Sequence, residues 1–194
     1  MSLKLLNATS GRRAYSTILA IIAIGCQGIQ GESLDAVVAT VSRLHPVANV
    51  DVSELRDSIA SETVRERLVM FDVRKVEEFE VSHLESAVRV DPDISADAFL
   101  KQYGNMLKDR TAVFYCSVGY RSSILVERIA KVKGDSTRLV NLRGGLFQWY
   151  NDGLAVYDSV GVTNKVHRFS AYWGRLLVAP TVKALGDRGV GGDR

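Results

Sequence analysis

The chain has 194 residues, 46% of them apolar and 24% charged, with a formal net charge of +3. That length holds one ordinary core plus terminal segments, and so small and scattered a charge excess excludes a sequence-wide nucleic-acid surface. Two cysteines exclude a disulfide framework; neither they nor His45, His83 and His167 show zinc-ligand spacing, so neither metal nor cofactor is expected.

In chain order, the first feature is an address. Lys4, Arg12 and Arg13 precede the apolar run 18–24, and Gly25 then stands before Cys26. Basic, then apolar, then small residues is the order of an export signal, and the sequence around Cys26 resembles a bacterial lipoprotein processing site. The expectation is an exported, periplasmic protein tethered to the membrane by a lipid on Cys26. Its rivals are an uncleaved anchor, a buried helix or a cytoplasmic protein, although the run is short for about 30 Å of hydrocarbon. The chain then divides into the signal (1–26), a linker and leading helix (27–48), a domain (49–158) and a C-terminal extension (159–194).

Ser33 is placed to cap a helix bearing Leu34, Val37, Val38 and Val41 on one face and ending before Pro46. A short strand and a small helix capped at Ser53 follow. Beyond residue 68 the pattern alternates: strand "LVMFDVR", helix "SADAFLKQYGNML", strand "TAVFYC", helix "SSILVERIAKVKG" with Leu125, Ile129 and Val132 on one stripe, strand "RLVNL", then Gly144-Gly145 and a short helix with Trp149 in the core. Strands alternating with helices at this spacing predict an α/β fold, a parallel sheet with helices on both faces. The stretch "AYWGRLLVA" reads as one or two helical turns and "GDRGVGGDR" as a frayed end.

The chemistry concentrates in "YCSVGYRSS". Cys116 falls at the carboxyl end of a predicted parallel strand and Arg121 just before a helix, the place where open α/β sheets bind ligands. Such a loop turns backbone N–H groups toward one point, Gly119 permits the tight path, and the helix N-terminus adds positive potential. A thiol at its centre ionises more easily, and a thiolate is a nucleophile. Arg121 is read as biasing Cys116 toward thiolate and attracting an anionic substrate. Ser117, Val118, Gly119 and Tyr120 supply mainly backbone, with Tyr120 at the entrance. Ser122 caps the helix, Asp72 and Arg74 pair to fix loops, and His83 is a hydrogen-bonded structural residue.

The segment "CSVGYR" resembles the active loop of the rhodanese family in its Cys-X-X-Gly-X-Arg form. In "FDVRKVEEFEVSHLESAVRV", Asp72, Arg74, Glu78, Phe79, His83 and Ala87 fall on the family's Asp-X-Arg, Glu-Phe and Gly-His-Ile-X-Gly-Ala marks, with Ser82 and Ser86 replacing the two glycines. "NLRGGLFQWYNDGLAV" is similar to its closing Leu-X-Gly-Gly-X-X-X-Trp motif, so the resemblance covers residues 50–157. It implies a three-layer fold with a mostly parallel five-stranded sheet, and a sulfurtransferase that holds sulfur as a persulfide on Cys116. It further implies a small anionic donor such as thiosulfate and an acceptor that is cyanide-like, a small thiol or a protein thiol.

Two rivals are weighed. A phosphatase built on the same fold needs its arginine six positions after the cysteine, where Ser122 stands. A non-catalytic rhodanese-like binding or sulfur-sensing module needs no working cysteine at all, since a fold does not dictate a function.

Overall fold

A computed structural model of the protein describes residues 33–178. The chain divides into two compact units, 1–32 and 33–194, and everything described belongs to the second. The expected export signal, the lipid on Cys26 and the expected fraying of 186–194 lie outside the described residues.

Helix α1 spans Leu34–Leu44, with Ser33 Oγ accepting the Ala36 amide at 3.3 Å and Leu34, Val37 and Val41 buried. Then come β1 (Asn49–Val50), α2 (Val52–Ala60), α3 (Glu62–Arg65), β2 (Leu68–Asp72), α4 (Val76–Val81), β3 (Val88–Arg89) and α5 (Ala96–Tyr103). They are followed by β4 (Thr111–Tyr115), α6 (Tyr120–Lys133), β5 (Leu139–Leu142) and α7 (Gly145–Asn151). The strands form one five-stranded sheet in the order β1-β5-β4-β2-β3, and every pairing is parallel. This is the expected α/β architecture.

The apolar runs are continuous because both faces of the sheet are covered. In β4, Ala112 and Phe114 join Phe71, Phe99, Leu125 and Ile129 beneath α5 and α6. Val113 and Tyr115 join Leu55, Leu142, Leu146 and Trp149 beneath α2 and α7. Fully burying one such aromatic or aliphatic side chain contributes about 1.5–3 kcal/mol, which locks β4 at the centre of the sheet.

Several local expectations need correction. Helix α2 begins after Asp51, not at Ser53, because Asp51 takes the extended N-cap conformation. Helix α6 begins at Tyr120 with Gly119 as N-cap, so Ser122 lies inside the helix and does not cap it. Val132 leaves the buried stripe and is 50% exposed. A hairpin, β6 (Val156–Tyr157) with β7 (Val162–Thr163), was not anticipated, and "AYWGRLLVA" yields one 3₁₀ turn, Trp173–Leu176.

Candidate active site

Cys116 is the first residue past β4, and Ser117, Val118 and Gly119 carry the chain to α6. Gly119 sits at φ +88°, a left-handed conformation that other residues resist. The first turn-closing bond of α6 runs from the Ser123 amide to Gly119 O at 3.1 Å, so the amides of Tyr120, Arg121 and Ser122 precede the helix's own ladder.

The loop's carbonyls are turned outward and held. The Leu146 amide donates to Cys116 O and the Phe147 amide to Ser117 O, both at 2.9 Å. The N-terminus of α7 therefore grips the loop from behind. A Cβ on Gly145 would stand 2.3 Å from Cys116 O and 2.9 Å from the Gly119 amide, so only glycine lets the two segments approach this closely. With carbonyls committed to α7, the positive end of α6 and its leading amides remain for a negative charge at the loop.

Cys116 is 1% exposed, yet it belongs to none of the three apolar clusters among the described residues. Arg121 is its charged neighbour. Burial works against the Arg121 charge, but the hydrogen bond to Glu78, the nearby Cys116 and the charge of Glu78 raise the guanidinium above its usual pKa.

Glu78, marked in the sequence only by the resemblance and given no role there, sits at the centre of the site's charges. Its Oε2 accepts Arg121 Nη1 at 2.6 Å and the Lys75 amide at 3.2 Å; its Oε1 accepts Arg121 Nη2 at 2.7 Å and Ser117 Oγ at 3.1 Å. Burial alone would raise the Glu78 carboxyl, but the hydrogen bond and charge of Arg121 dominate and hold it at about 2. The Arg121 charge, read from sequence as open to an anionic substrate, is thus already matched by a carboxylate. Glu78 lies three residues into α4, reaching back to the Lys75 amide as in a capping box; that local spacing was the available signal, and it names no partner in α6.

The remaining sequence-marked residues fall around this centre. Ser117 does more than supply backbone, since its hydroxyl bridges to Glu78 and accepts Arg121 Nη2 at 3.2 Å. Val118 is buried in a cluster with Leu34, Val37, Val41, Phe147 and Leu176, which anchors the loop by its side chain. Tyr120 packs at the edge of that cluster, its ring 5.3 Å from that of His45. Ser122 points away from the loop and donates to Asn141 Oδ1 at 2.6 Å; Asn141 in turn donates to Asn49 Oδ1. The sixth position after the cysteine therefore presents no cation to the loop.

Asp72 and Arg74 form a fully buried pair below the site, with Nε–Oδ1 at 2.8 Å and Nη2–Oδ2 at 2.6 Å, and Arg74 also donates to Ser82 O. Breaking such a pair by removing one partner costs about 3–5 kcal/mol. Tyr115 Oη, accepting the Leu84 amide at 3.0 Å, is raised well above its ordinary pKa by burial and by the Asp72 charge. Ser82 is extended, while Ser86 takes φ +58°, the conformation a glycine would adopt freely. His83 stacks on Phe79, and its Nδ1 lies 3.0 Å from Phe79 O. Trp149 donates to Ala155 O and packs in the core.

The model of the rhodanese-like domain family matches residues 51–152. Over 108 residues the chain is 31% identical to a probable molybdopterin-synthase adenylyltransferase of Porphyra purpurea; the match covers 55% of this chain, which spans 26% of the length of that curated relative. Among solved structures, an As-Sb reductase from Leishmania major is similar with a TM-score of 0.52 and 16% identity, over 59% of this chain and 88% of that one. A thiosulfate sulfurtransferase from Pseudomonas aeruginosa gives 0.51 and 17% over 74% and 26% of the respective chains. At those identities the likeness is one of fold. With its family model spanning more than half of the sequence, from α2 through the cysteine loop to α7, the chain belongs to the rhodanese-like domain family.

Proposed function

We propose that the domain is a sulfurtransferase working through a persulfide on Cys116. The observation that carries this reading is the placement of Cys116: it follows the central strand, its carbonyl is withdrawn onto α7, and it leads into the N-terminus of α6 beside Arg121. In the first step the Cys116 thiolate attacks the outer sulfur of thiosulfate; a Cys116 S–S bond forms, the donor's S–S bond breaks, and sulfite leaves with its electron pair. In the second step an acceptor such as cyanide or a thiolate attacks the terminal sulfur, and Cys116 returns as thiolate. The leading amides of α6 offer the terminal sulfur the stabilisation that an oxyanion hole offers oxygen. Asp72, Arg74 and Glu78 position the loop without touching sulfur.

The test is mass spectrometry after thiosulfate treatment: one sulfur adds about 32 Da to the Cys116 peptide, an increment set by the chemistry of an activated thiol. Cyanide or a small thiol should remove it, and Cys116→Ser should abolish both loading and turnover while leaving the fold intact. The burial of Cys116 favours a second reading, a binding or sensing module with an idle thiol. A folded protein that takes up no sulfur would establish it. Export and tethering through a lipid on Cys26 belong to the same proposal; labelled fatty acid should enter the protein and be lost in Cys26→Ser.

A further inference from the structure

Beyond β7 the chain runs as a strap over the outside of the cysteine loop, and both its ends are tied to α7. Tyr150 Oη donates to Asn164 O at 2.8 Å at the near end; Asn151 Nδ2 donates to Leu176 O and Oδ1 accepts the Val178 amide, both at 2.8 Å, at the far end. The underside of the strap is apolar: Val166, Trp173, Leu176 and Leu177 pack with Val118 and Tyr120 of the loop and with α1. Between the ties, Phe169 adopts φ +60° and stays 51% exposed, yet its ring lies over the Arg121 guanidinium at 5.5 Å from the ring centroid. A half-exposed aromatic in a left-handed conformation gains little from burial, so the cation–π contact is what its position serves. Gly174 keeps the strap compact, since a Cβ there would meet the Arg168 side chain at 3.0 Å. The strap residues themselves, 164–178, lie beyond the family match, which ends at residue 152.

We propose that Phe169 determines acceptor specificity at Cys116: the strap holds its ring across Arg121, so small acceptors such as cyanide and low-molecular-weight thiols reach the sulfur while protein thiols are kept out. This deepens, and rests on, the sulfur-transfer reading. The guanidinium is clamped by Glu78 and lies over the ring, so a large partner must lift the strap before it meets a cysteine that is 1% exposed. A small molecule needs only a fluctuation of one side chain.

The test compares wild type, Phe169→Gly, which suits the positive φ and spares the fold, and Phe169→Tyr, which restores a ring. Each is alkylated with iodoacetamide and with a bulky pyrene maleimide, and the Cys116 peptide is quantified by mass. The rate ratio of bulky to small reagent should rise about fivefold in Phe169→Gly, the worth of one stacked contact, and return to the wild-type value in Phe169→Tyr. The ratio of kcat/KM for reduced thioredoxin to that for cyanide should follow the same order. An unchanged alkylation ratio in folded Phe169→Gly overturns the gate. Alkylation does not depend on sulfur transfer, so a raised ratio in a protein that forms no persulfide upholds the gate and removes the transferase reading instead.

Discussion

Glu78 and Arg121, 43 residues apart in the chain, meet in a two-pronged ion pair with N–O distances of 2.6 and 2.7 Å. The pair ties α4 to the start of α6 and sets how much positive charge the cysteine loop presents. With the carboxylate in place, Arg121 braces the loop; without it, the guanidinium charge is left unmatched.

Glu78→Gln should therefore act in opposite senses on stability and on chemistry. Removing one partner of a buried pair costs about 3–5 kcal/mol, seen as a lower urea midpoint at neutral pH. Per folded molecule, loading of Cys116 from dianionic thiosulfate should be faster than in wild type, because the guanidinium is no longer matched. Denaturant unfolding and the rate of adduct formation measure the two effects separately.

The same pair predicts an acid limb. The native Glu78 carboxyl titrates at about 2 against an ordinary 4.5, so the unfolded chain binds this proton first as pH falls. The stabilisation is fully present above about pH 4.5 and disappears as pH approaches 2, in total on the order of 3 kcal/mol. Urea midpoints of wild type and Glu78→Gln, followed from pH 6 to pH 2.5 as about the accessible range, should converge on acidification. Parallel curves would show that Glu78 carries none of the acid sensitivity.

Gly145→Ala should damage the loop more than the fold. The added methyl would lie 2.3 Å from Cys116 O, at a residue held at φ +59°. The carbonyls of Cys116 and Ser117 would lose their amide partners in α7, at about 1–3 kcal/mol for the strain and lost bonding together. Sulfur loading should fall steeply while far-ultraviolet circular dichroism stays that of an α/β protein.

Ser86→Gly should stabilise the domain. Ser86 holds φ +58° without a glycine's freedom, a conformation that costs an L-residue about 1–2 kcal/mol. After the greater entropy loss of glycine on folding, a gain of about 0.5–1 kcal/mol remains, readable as a raised Tm with unchanged loading.

The sheet, its parallel strands and the position of the cysteine loop were legible in the order of residues along the chain. Those follow from local patterns: unbroken apolar runs such as 68–71 and 112–115 need cover on both faces, and a Gly within Cys-X-X-Gly-X-Arg marks a turn into a helix. The sequence also showed the Ser33 cap, because a cap is a relation between residues three apart. Relations between distant segments were not legible there and emerge from the fold. Glu78 meets Arg121 across 43 residues, Ser122 turns to Asn141 and not to its own helix end, and Phe169 reaches the loop from a strap beyond the family's span. Periodicity records which side of an element is buried, whereas the partner of a buried charge depends on where other elements stop, and that is set by packing.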